Sequence, residues 1–116
     1  MKIIFSIILT FFSISASSQV ARICEMSAID AKEYAEKRDL GENKAKMISE
    51  LIAWGKEMKK GFKSVTEMQI INDIMDDRVD RIIWVFHPSN SKYSPDETYN
   101  IKFDSCINTA RSLQRK

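Results

Sequence analysis

The chain has 116 residues, with 18 Lys and Arg against 16 Asp and Glu, one His and two Cys. A formal charge of +2 supplies no basic excess for nucleic acid or an anionic membrane. One histidine and two cysteines are too few for a His-based triad or a His/Cys metal site, so we expect no enzyme, no metal or other cofactor, and no nucleic-acid partner.

The chain opens with Lys2, an apolar stretch from Ile3 to Ile14 interrupted by Ser6, Thr10 and Ser13, and then Ser15-Ala16-Ser17-Ser18. About 12 apolar residues fall short of the roughly 20 that a membrane-spanning helix needs. A positive start, an apolar middle and a small-residue end form the layout of a secretory signal peptide. Ala16 and Ser18 occupy the positions a signal peptidase reads, which predicts cleavage before Gln19, with cleavage after Ala16 as second choice. Ile23, bulky and directly before Cys24, opposes lipoprotein processing. Residues 19–116 are then one small domain without a membrane span, exported to the periplasm or beyond. Loss of Lys2 leaves 17 basic against 16 acidic residues.

In an oxidising compartment Cys24 and Cys106 are expected to pair. The bond closes a loop of about 80 residues and stabilises the fold by about 4 kcal/mol in the chain-entropy picture. A catalytic thiol or a metal ligand would need partners that the chain lacks.

Three glycines and two prolines suit helices better than a sandwich of short strands. The first helix is predicted from about Val20 to Arg38, with Val20, Ile23, Cys24, Ala28, Ala31, Tyr34 and Ala35 on one face. It ends at Arg38-Asp39-Leu40-Gly41, where Gly41 can take a left-handed conformation, and Asn43 caps the next helix. That second helix runs to about Lys60, with Met47, Ile48, Leu51, Ile52, Trp54, Gly55 and Met58 as a buried stripe, and Gly61 stops it. Lys56, Lys59, Lys60 and Lys63, the one compact basic run, read as a solvated helix end.

Ser64-Val-Thr-Glu67 is a capping box for a third helix whose inner face is Met68, Ile71, Met75, Val79, Ile82 and Phe86. It ends before Pro88. Residues 82–86 also have strand character, but the helical register carries through them. Ser94-Pro95-Asp96-Glu97 is a second capping box with proline at the first helical position. The last helix places Tyr99, Phe103, Cys106, Ile107, Ala110 and Leu113 together; a strand over 99–103 accounts for fewer of these positions.

The fold class expected is all-α: a four-helix up-down bundle stapled by one disulfide. In that topology Cys24 and Cys106 lie toward the same end.

Cys24, Ala31, Ala35, Arg38-Asp39-Leu40-Gly41, Asn43 and Cys106 occur here in an order that resembles small exported, all-helical proteobacterial proteins of unassigned function. The resemblance covers most of residues 19–116. It implies export, helices and one disulfide, and it implies no chemistry.

Among residues that could carry chemistry, His87 reads as a cap at the end of the third helix. Asp73, Asp76, Asp77 and Asp80 form the one acidic constellation. Helical spacing places three of them on a stripe that could gather a divalent cation, but Arg78 and Arg81 stand at pairing distance, and a solvated, salt-bridged face is the simpler account. The methionines at 26, 47, 58, 68 and 75 read as core filler.

Trp84 falls off the main stripe of its helix together with Val85. With Tyr93, Asp76, Asp77 and Asp80 it makes a candidate interaction surface. The function expected is a small exported protein-interaction module, an inhibitor or immunity protein by type, binding another protein in the envelope or outside the cell. The alternatives are an envelope stress chaperone responding to acid, and a weak metal-binding or enzymatic role for the Asp73–Asp80 stripe.

Overall fold

The computed structural model describes the backbone of residues 2–114 and the side chains of residues 19–113. The described residues are all-helical: α1 (Lys2–Asp39), α2 (Lys44–Lys59), α3 (Val65–Phe86) and α4 (Pro95–Gln114). The stretches 82–86 and 99–103, ambiguous in sequence, are both helical.

The first helix is longer than predicted: its backbone runs unbroken from Lys2. No Gly or Pro occurs before Gly41, so no residue of that stretch breaks the hydrogen-bond ladder. The side chains expected to direct cleavage, Ala16 and Ser18, lie outside the described residues. Gly41 has φ +86. Its N–H donates to the Arg38 carbonyl at 2.9 Å, and the Glu42 N–H donates to the Lys37 carbonyl at 3.0 Å, the paired bonds of a Schellman end.

Asn43 caps α2 by accepting from the N–H groups of Ala45 and Lys46. At the other end of α2, Gly61 does not turn left-handed; the chain leaves through short bonds from Lys60, Gly61 and Phe62 to residues three back. Ser64 accepts from the Glu67 N–H. At Ser94 and Glu97 the box is reciprocal, with bonds of 3.1 and 3.3 Å.

Contacts along the helices fix their relative directions. Cys24 meets Cys106, and Lys32 meets Asp96 at 3.0 Å, so α1 and α4 run antiparallel. Lys59 with Asn72 and Trp54 with Arg78 make α2 antiparallel to α3. Asp30 with Arg81, and Arg38 with Val85, make α1 and α3 run the same way. The main packing pairs are α1 with α4 and α2 with α3, and α1 against α3 joins them. Extensive contact between α3 and α4 is missing among the described residues.

The centre is small and alanine-rich. Cys24, Ala28, Ala31 and Ala35 are buried along α1, with Ile82 and Val85 of α3 and Thr98 of α4. Alanines let neighbouring helices approach closely, and Tyr34, Trp84 and Phe86 pack around Ala31, Ala35 and Val85. Trp84 and Val85 therefore do not share one fate. α3 meets α2 on one side and α1 on another, so its buried arc is wider than one stripe, and Val85 is fully enclosed.

The reverse holds elsewhere: Ile23, Ile52, Met58 and Leu113, assigned to inner faces, are exposed. α2 and α4 each have one main helical neighbour, which cannot cover a wide stripe.

Candidate functional site

Because α3 and α4 both lean on α1 without closing on each other, a groove lies between them. Asp77, Asp80, Arg81 and Trp84 form one wall; Lys102, Ser105, Thr109, Ala110 and Leu113 form the other, with Ser27 of α1 and Cys106 beneath. Cys106 is held to Cys24 with a Cα–Cα distance of 5.5 Å across 82 residues of sequence. The disulfide therefore fixes α4 to the floor of the groove.

The electrostatics of the α3 wall begin on α1. Asp30 accepts from the Arg81 guanidinium at 3.2 Å and stands 4.0 Å from Arg78. Arg81 also pairs with Asp77 one turn earlier, and Arg78 lies over the Trp54 ring at 5.0 Å. Residues of α1, α2 and α3 are thus joined in one network. Both arginines are expected from spacing to pair with acids of their own helix; Arg81 does so through Asp77, whereas Arg78 pairs across to Asp30 of α1. Burial and the Asp30 carboxylate push the Tyr34 hydroxyl's pKa above its ordinary value.

At the other end, Lys102 places its ammonium 4.1 Å from the centroid of the Trp84 ring. Burial, with the Arg81 guanidinium adding to it, lowers the Lys102 pKa; the electron-rich ring face opposes this in part. Trp84 is stacked on Tyr93, centroids 6.3 Å apart and planes 7° from parallel, and Lys92 lies over Tyr93. Trp84 is half-buried and braced on three sides. It is a groove wall and not a free anchor.

The predicted surface residues therefore separate. Trp84, Asp77 and Asp80 come together in the groove; Tyr93 supports Trp84 from behind, and Asp76 is exposed beside the α3 wall. Asp73 accepts from Gln69 at 2.9 Å, and no three potential metal ligands converge among the described residues.

His87 caps α3 through its backbone N–H, and its ring Nδ1 accepts from the Ser89 N–H. In the basic run, Lys59 holds Asn72 and Lys60 holds Glu57.

Arg38 proved more than a helix end. Its side chain, only 9% exposed, donates to the carbonyls of Val85, Asn90 and Tyr93 and pairs with Asp39. Sequence reading missed Asp30 and Lys102 as site residues. The available signals were Asp30 flanking the alanine stripe beside Ala31, and Lys102 one turn before Cys106. Comparison with protein-family models, curated proteins and solved structures finds no match for this chain.

Proposed function

We propose that this protein is a small exported interaction module that engages another protein through the α3–α4 groove, an inhibitor or immunity protein by type. The observation that carries this reading is the groove itself: a channel with a charged α3 wall and a largely neutral α4 wall, beside a disulfide that locks α4 to α1. Leu113, 67% exposed at the rim, supplies an apolar contact of the kind that interfaces concentrate. We take the four helices as an up-down arrangement left open at this place, the leader as cleaved near Ser18, and the destination as the periplasm or the medium. Among the described residues no helix is long and apolar enough to cross a membrane.

The test is site-specific photo-crosslinking in the cells that make the protein. A photoreactive residue at Leu113 should give a discrete adduct, and one at Val65, exposed at the start of α3, should not. Equal labelling from both positions, or none from Leu113, removes the reading.

One observation favours the acid-responsive chaperone as a second reading. Ile52, Met58, Ile70 and Ile74 are exposed on the α2–α3 pair, and that pair is tied to α1 in part through the Asp30 carboxylate. Suppression of client aggregation at about pH 3 and not at neutral pH would select this reading.

A further inference from the structure

We propose that the occupant of the groove is an amphipathic helix of a partner protein, carrying a basic flank beside an apolar stripe. The inference rests on the interaction reading above and names the partner's chemistry.

Geometry selects a helix. Both walls are helices whose backbone groups are spent on their own ladders, so no strand edge is available to a partner strand. Recognition must run through side chains projecting from the walls. The α4 wall from Lys102 to Leu113 rises about 16 Å at 1.5 Å per residue, which is three turns of a docked helix. α3 is linked to α4 through the Trp84–Lys102 contact at one end, and its lining residues run toward the other end as those of α4 run back. Antiparallel helices thus flank the channel, α3 over Asp77–Trp84 and α4 over Lys102–Leu113.

Charge selects a basic flank. Asp77 and Asp80 line the α3 wall, and Asp76 is exposed beside them. Two cations also face the channel, and both are committed. Arg81, 12% exposed, is held by Asp30 and Asp77, and Lys102 rests on the Trp84 ring. The α4 wall offers the neutral hydroxyls of Ser105 and Thr109, and Arg111 is not among the lining residues. Asp80 has no ion-pair partner among the described residues. On the α3 wall the unpaired charge is negative, Asp80 with the exposed Asp76 beside it, while the α4 wall holds the one unpaired cation, Lys102, drawn back onto the Trp84 ring; Trp84, Cys106, Ala110 and Leu113 form an apolar strip between them. The complement is Lys or Arg on one flank, with Leu-like residues three or four positions away.

The test titrates the oxidised, full chain by NMR with three synthetic peptides of about 14 residues: a Leu/Lys amphipathic helix, a Leu/Glu counterpart, and a Leu/Lys peptide permuted to abolish its apolar face. The Leu/Lys helix should shift the Trp84 indole, Ser105, Thr109 and Leu113, and bind about tenfold tighter than either other peptide. Asp80→Lys should remove that preference, and Thr109→Trp, which fills the channel at an exposed position, should abolish binding without changing its charge. Equal binding of the three peptides overturns the proposal, as do shifts confined to Ile52 and Ile70. A dimer in sedimentation that Thr109→Trp dissociates would assign the groove to a second copy and overturn it equally. If the peptides fail while Leu113 still crosslinks a partner, the helix is wrong and the interaction reading stands; if both fail, both fall.

Discussion

The Arg38 guanidinium donates to the backbone carbonyl of Tyr93 at 2.7 Å, joining the end of α1 to the turn that launches α4. The same group reaches the Val85 carbonyl at 2.9 Å, one of the last four carbonyls of α3, which no helical N–H can satisfy. One side chain thus sets α1, the end of α3 and the start of α4 relative to one another. Asn90 supports the arrangement, its side-chain amide donating to the Trp84 carbonyl.

Arg38→Met should therefore cost about 2–3 kcal/mol, since it leaves three part-buried carbonyls without a charged donor. Arg38→Lys keeps the charge but loses the planar fork, and should recover only part of that. Urea unfolding measures both. Amide exchange in residues 88–93 should quicken in each variant before the rest of the chain responds.

Asp30 and Arg81 couple the two helix pairs. Asp30→Asn and Arg81→Met should each destabilise by about 1–2 kcal/mol, and the double mutant should cost less than their sum by about 1 kcal/mol. Strict additivity would mean that the ion pair contributes nothing.

Thr98 is fully buried, and its hydroxyl oxygen has no hydrogen-bond partner. Thr98→Val keeps the branched shape and removes the unsatisfied group. It should stabilise by about 1 kcal/mol, read as a higher urea midpoint at unchanged slope.

The folded state lowers the Lys102 pKa from 10.5. Below the folded value the lysine is charged both folded and unfolded, and its burial penalty is constant. Between the folded value and 10.5 the unfolded chain binds more protons, so stability should rise with pH across that window. Tyr34 acts oppositely, because a value raised from 10.0 makes the folded state lose stability as pH climbs past 10.0. Unfolding at stepped alkaline pH in a Tyr34→Phe background should show the rise, and Lys102→Met in that background should abolish it.

The helices were legible because their punctuation is local. Gly41, Asn43, Ser64, Ser94 and Glu97 act within a few residues of themselves, and the 24–28–31–35 spacing marks the face of α1 that is buried. Which helices meet is a different question, and spacing alone does not answer it. Leu113 follows the Cys106 and Ala110 side of α4 but lies at the end of the helix, while Ile23 stands about 100° round α1 from buried Cys24, off the 24–28–31–35 face. Val85 lies off the main stripe yet is buried, because α3's own periodicity carries no sign of its second partner. The same limit hid Asp30: nothing local says that its carboxylate pairs with arginines some 50 positions away. Trp84 and Asp80 could be named as surface candidates, but the groove that unites them arises only from where α3 and α4 fail to meet.

The most direct measurement is the intact mass of the chain recovered from the cells that make it. The account predicts a polypeptide beginning at Gln19, two hydrogens lighter than its fully reduced form, from the bond between Cys24 and Cys106. A mass that retains residues 1–18, or two free thiols in protein taken from outside the cytosol, would contradict it.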